Sequence, residues 1–133
     1  MKEIDFTKEI PPKDLDEAVH ILKKYLDEGD KDSIAKVSEN EFLGSVHFSY
    51  GMVIRNSWHL WDEEGKLHKW FCANGIFHAD DMSGLILLKL YRNVSRKQFD
   101  LEKESIRYWI HWIKHDRHNL GEKTLKYLFA RYL

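Results

Sequence analysis

From Asp14 onward, the apolar residues of this chain recur at three- and four-residue intervals, and no stretch shows the sustained alternation that marks a strand. Leu15, Ala18, Val19, Leu22, Tyr25 and Leu26 form a first helical stripe, which Gly29 is expected to end, with Lys23 and Lys24 near its negative pole. Ile34, Ala35 and Val37 predict a short second helix between Asp30 and Val37. Ser38 and Glu41 match a capping box, Ser-x-x-Glu, and open a longer helix. Its predicted apolar face runs through Leu43, Val46, His47, Tyr50, Val53, Ile54 and Trp61. Gly44 and Gly51 stand seven residues apart on this helix, a costly choice that predicts close approach of another backbone.

Beyond the break at Gly65, Lys66–Asn74 reads as a short helix, with Gly75 as its left-handed cap and Ile76 as the hydrophobic latch. Asp80 and Asp81 load the first turn of a helix through Met82, Leu85, Ile86, Leu88 and Tyr91. Ser95 and Gln98 form a second predicted capping box, opening an amphipathic helix over Phe99, Ile106, Trp109, Ile110 and Ile113. After the break at Asn119-Leu120-Gly121, Leu125, Leu128, Phe129 and Tyr132 give a closing helix. Residues 1–12 read as an irregular arm ending in Pro11-Pro12, and residues 13–133 as a single helical domain. The expected fold is all-α, a compact multi-helix bundle of about six or seven helices.

Composition narrows the setting. Five Trp, seven Phe and six Tyr in 133 residues supply enough bulk for a core without staples. No apolar run is long enough to span a membrane, the N-terminus lacks a signal-peptide core, and the single cysteine, Cys72, cannot form an internal disulfide. A cytoplasmic domain is expected. Residues 1–88 hold ten Lys and Arg against 17 Asp and Glu, a net −7, whereas residues 89–133 hold eleven against five, a net +6. The basic residues are interleaved with core-like aromatics, which predicts pairing of the two halves within the fold and disfavours nucleic acid as a partner.

The segments "HFSYGMVIRNSWHLW" and "GIFHADDMSGLILLKLYR" resemble the signature of a family of small bacterial domains of unknown function. The likeness spans roughly residues 43–92 and, position by position, picks out His47, Gly51, Arg55, Asn56, His78, Asp80, Asp81 and Ser83. Family members often carry proline between the histidine and the paired aspartates, where this chain has Ala79. The resemblance implies a compact helical fold and carries no established activity.

Arg55 is the chemical oddity of the set. An arginine beside a close helix contact needs a carboxylate, and Asp81, with Asp80 as the second choice, is the expected partner for a two-pronged contact. A buried pair that fixes the angle between helices competes here with a grip on an anionic ligand. His47 and His78 with Asp81 have ligand-type side chains but no diagnostic metal spacing, and His47 reads rather as a hydrogen-bonded core histidine. His111 and His115 share a helix face near Asp116 and His118, yet Trp112 stands where a zincin needs glutamate. Cys72, in Trp-Phe-Cys-Ala, reads as a small apolar residue rather than a nucleophile. Trp109 and Trp112 with Arg107 and Lys114 could stack bases, but their spacing fits a core stripe better. No phosphate loop, nucleophile elbow or paired CxxC is present, so no catalytic residue, metal or cofactor is expected. A protein-binding module of the immunity or antitoxin kind is the leading expectation, with another protein as its partner. The alternative is a small enzyme or anionic-ligand-binding protein built on His47, Arg55, His78 and Asp81.

Overall fold

A computed structural model describes residues 3–133. The order is a 3-10 turn at Phe6–Lys8, then α1 (Leu15–Lys24), α2 (Glu28–Lys36), α3 (Glu39–Val46), a π-helical segment (His47–Gly51) and α4 (Met52–Ser57). There follow α5 (Lys66–Ala73), α6 (Ala79–Val94), α7 (Leu101–Lys114), a 3-10 turn at Arg117–Asn119 and α8 (Leu120–Tyr132). Because α3, the π segment and α4 run on as one rod, the described residues form seven helical rods and no strand, an all-α bundle as expected. Among the described residues no helix is long and apolar enough to cross a membrane.

Helix α6 is the axis. Ala79, Met82, Ser83, Leu85, Ile86, Leu87, Leu88, Leu90 and Tyr91 are all buried, and α1 to α5 and α7 pack around it. Its apolar positions therefore cover nearly the whole circumference, as a central helix requires. The arm joins this core. Ile4 is buried, Phe6 meets Trp58 edge to face at 5.4 Å, and Glu9 accepts from the Tyr25 hydroxyl at 2.8 Å.

Several boundaries differ from the expected ones. Gly29 does not end α1; it lies in the first turn of α2, which starts at Glu28 because Asp27 and Asp30 cap it reciprocally. Ser38 caps α3 as expected, accepting from the Glu41 N–H at 3.2 Å. Ser95 opens nothing: it is the C-cap of α6, which closes through left-handed Arg96, φ 57°, with Lys97 N–H bonded to Arg92 O at 2.7 Å. Asp100 is the true N-cap of α7, so Phe99 lies outside the helix. Gly75 does take the left-handed conformation, φ 80°, and Ile76 N–H closes onto Phe71 O at 3.0 Å.

The two charge-biased halves meet across α6. Arg92 Nε donates across the halves to Glu39 of α3 at 2.9 Å, while its Nη1 donates to Glu104 of α7, within its own half, at 2.5 Å. Lys89 pairs with Asp16 of α1.

Candidate functional site

The segment that carries Arg55 is wound with one residue too many. Inward positions on α3 are Phe42 and Val46, but the next are Gly51, then Ile54, Arg55 and Trp58. The five-residue step from Val46 to Gly51 is the π turn, which advances the inward face by one position relative to ordinary winding. That step overturns the expected apolar face: Val53 and Trp61 are exposed, and Phe48 is pushed out to 77% exposure. Arg55 turns inward in their place, with only 5% of its surface exposed.

Gly51 serves Arg55 directly. A side chain there would begin 2.9 Å from Arg55 Nη1, so the glycine makes room for the guanidinium. Gly44 has nothing within 4 Å of that position, and the expected backbone-to-backbone contact along the two glycines is absent.

The partner of Arg55 is Asp80, not Asp81, and the contact is single rather than forked. Arg55 Nε lies 3.3 Å from Asp80 Oδ1, while Nη1 donates to Ser83 Oγ at 2.8 Å and Nη2 to the His47 carbonyl at 3.4 Å. Asp80 and Ser83, three apart on α6, share the face toward α4, while Asp81 points about 100° away, toward α7. There Asp81 accepts from Trp112 Nε1 at 2.7 Å. Burial pushes the Asp81 carboxyl above its ordinary range, outweighing that hydrogen bond and the nearby histidines.

His78 is the N-cap of α6. Its Nδ1 accepts the Asp80 N–H at 3.0 Å, so it carries no proton there, and its 3.9 Å approach to Asp80 Oδ2 is no ion pair in that tautomer. The ring stacks on Trp112 at 5.4 Å and meets Trp61 edge to face at 5.6 Å. His47 is half-buried with its ring against Phe48, and Asn56 faces solvent on α4. The structure thus gathers Arg55, Asp80, Ser83 and the His47 carbonyl into one cluster, sets His78 and Asp81 in a second against Trp112, and leaves Asn56 outside both.

An open groove of about 430 Å³ lies beside the first cluster, lined by His47, Phe48, Asp80, Asp81, Arg107 and Tyr108 among others. Arg55 and His78 are not among its walls. Tyr108 and Arg107 come from α7, and nothing in the α3–α6 sequence pattern announces them. Elsewhere, His111 and His115 are exposed with ring centres 4.9 Å apart, but Asp116 is occupied in capping α8, accepting from Gly121 N–H at 2.7 Å. No group of three His, Cys, Asp or Glu side chains among the described residues is arranged to hold a metal ion. Cys72 is half-buried, and burial pushes its thiol up, away from the thiolate a nucleophile needs. Among the described residues the buried, hydrogen-bonded histidine is His68 rather than His47; its Nδ1–H donates to Leu60 O at 2.7 Å.

The second feature is the α7–α8 hairpin. It touches the bundle through Glu104, Tyr108, Trp109 and Trp112 of α7 and through Tyr127 of α8, with Trp109 Nε1 donating to Gly75 O at 3.0 Å. On α8 the buried positions are Leu120, Gly121 and Thr124. The predicted core positions Ile106, Ile110, Ile113, Leu125, Phe129 and Tyr132 are therefore not core: all are exposed, Ile110 at 49% and Phe129 at 58%. With α6 meeting only the opposite side of the hairpin, helical spacing puts both stripes on the side away from the bundle.

No curated protein and no solved structure shows significant similarity to the chain. Residues 11–94, α1 through α6, match the profile of the family described as Domain of unknown function (DUF6794), with α7 and α8 lying beyond the matched segment, and the chain belongs to that family.

Proposed function

We propose that this protein is a macromolecular interaction module that binds another protein on the open face of the α7–α8 hairpin. The observation that carries this reading is the stripe of Ile106, Ile110, Ile113, Leu125 and Phe129, all at least 40% exposed on one side of two paired helices. Single exposed apolar residues are ordinary, whereas a contiguous patch marks an interaction surface. The polar cluster around Arg55 supports the same reading from the other side. Its guanidinium is spent on Asp80, Ser83 and the His47 carbonyl inside the fold, which suits a structural clamp. Occlusion of a partner in a reducing cytoplasm, in the manner of an immunity or antitoxin protein, fits a small domain whose cysteine is half-buried and unpaired.

The test is capture from the cell of origin, comparing the native chain with Ile110→Ser/Phe129→Ser. A partner retained by the native chain and lost with the double variant supports the reading. Capture that survives the double variant, or no capture at all, removes it.

A second reading is favoured by the open groove beside Asp80 and Asp81: a small ligand bound between His47, Phe48, Arg107 and Tyr108. A metabolite-panel melting screen that finds a stabilising compound, with the shift lost in Tyr108→Ala and kept in Ile110→Ser, would favour it over the hairpin.

A further inference from the structure

The hairpin face has a shape and a charged edge, and together they select a class of partner. Helices α7 and α8, 14 and 13 residues long, lie side by side for about 20 Å, and helical spacing sets exposed apolar side chains along the seam between them. Ile106, Ile110 and Ile113 line one bank and Leu125 and Phe129 the other, at the spacing by which a third amphipathic helix engages a two-helix groove. Outside the isoleucine bank, helical spacing sets Lys103, Arg107 and Lys114 along the outer edge of α7, all exposed, with the Arg107 guanidinium leaning over the Tyr108 ring and donating to its hydroxyl at 3.0 Å. On the outer edge of α8, Lys126 pairs with Glu122 at 3.1 Å, while Lys123 and Arg131 line grooves shared with Cys72 and Asn74 of the bundle. The rim is therefore basic along α7 and balanced along α8.

We infer that the occupant of this face is an amphipathic helix of a different protein, whose polar edge carries Asp or Glu opposite Lys103, Arg107 and Lys114. This inference rests on the interaction reading and adds the chemistry of the partner. A second copy of the chain is the poorer fit: its own hairpin would bring a like-charged rim, and the apolar stripe of its α1, which is charge-balanced, is already buried against α6. A nucleic acid would meet aliphatic side chains where it needs donors for phosphate. An anionic bilayer would favour basic residues along both edges, and the α8 edge does not supply them.

The test uses two synthetic helical peptides with the same leucine and isoleucine face, one with glutamates and one with lysines along the polar edge. Their binding to the full chain is followed by fluorescence anisotropy at about 150 mM salt. The glutamate-edged peptide should bind at least about tenfold tighter than the lysine-edged one. Lys103→Glu/Arg107→Glu/Lys114→Glu should invert that preference, and Ile110→Ser/Phe129→Ser should abolish binding of both. The substituted residues are exposed, and unchanged melting curves will show that the variants fold. Equal binding of the two peptides, or no binding of either, overturns the inference. So does concentration-dependent dimerisation that Ile110→Ser/Phe129→Ser removes, or tighter association with phosphatidylserine vesicles than with the acidic peptide. Capture of a cellular partner that depends on Ile110 and Phe129 but ignores the three-residue charge reversal would leave the interaction reading standing and the acidic-helix inference refuted.

Discussion

The Nη1 atom of Arg55 lies 2.9 Å from the point where a methyl group on Gly51 would stand. Gly51→Ala should gain about 1 kcal/mol of helix propensity and still destabilise the protein, because the guanidinium is tied to Asp80 and Ser83 and has no free direction in which to retreat. The check is a double-mutant cycle by chemical denaturation. In an Arg55→Met background the same Gly51→Ala change should become neutral or stabilising.

The clamp should be asymmetric. Asp80 has 45% of its side chain exposed, whereas Arg55 has 6%. Removing the carboxylate strands a buried charge, so Asp80→Ala should cost about 3–5 kcal/mol. Arg55→Met leaves a carboxylate that water can solvate and keeps most of the buried aliphatic volume, so its cost should be smaller. Equal losses in urea melts would show that the charge is not what the site is built around.

Asp81 should be a liability at neutral pH. Its carboxyl holds a proton more tightly folded than unfolded, because burial raises it. Its contribution to stability therefore falls as pH rises from the unfolded value, about 3.9, through the raised folded value, and stays low above that. Asp81→Asn keeps an acceptor for the Trp112 N–H and should raise the melting temperature at pH 7. The advantage should shrink toward zero as pH approaches about 4. A variant that melts lower at pH 7 would contradict this account.

Arg92 behaves in the opposite sense. Its hydrogen bond holds the Glu39 carboxyl below its ordinary range. That contribution is present above the unfolded glutamate value, about 4.3, and is lost as pH falls through the lowered folded value. Arg92→Leu should cost about 1–3 kcal/mol at pH 7, discounted for the partial exposure of Glu39. The loss should diminish in acid, which melts at pH 7 and pH 3 would show.

Gly75→Ala should destabilise by more than about 1 kcal/mol, since Gly75 is left-handed. A side chain there would also begin 2.5 Å from the Tyr127 ring. A comparable loss is not expected at Gly44, where the space is open.

How legible these features were depends on whether the signal is local. The Gly75 cap, the Ser38 cap and the apolar run of α6 were readable because each is set within a few residues of sequence. The Ser95 start failed because a left-handed Arg96 closes α6 without the glycine that usually announces such a cap. Arg55 could be seen to need a carboxylate, but the choice of Asp80 over Asp81 turns on about 100° of rotation on α6, which no charge pattern encodes. The isoleucines of α7 looked like core because periodicity tells that a helix has an apolar face and is silent on whether anything covers it.

The π turn at His47–Gly51 has a genetic corollary. A five-residue turn occupies nearly the same axial length as a four-residue α turn, so the segment amounts to a one-codon insertion absorbed without moving its neighbours. Deleting outward-facing Phe48 or Ser49 should let the rod rewind as plain α-helix, with Phe42 and Val46 still in phase with Ile54, Arg55 and Trp58. Deleting a residue from α4 itself would throw Trp58 out of phase and forfeit its place in the core. The molecule thus carries one position on this rod that its fold can spare, and it uses that position to hold an aromatic ring out into solvent beside the groove.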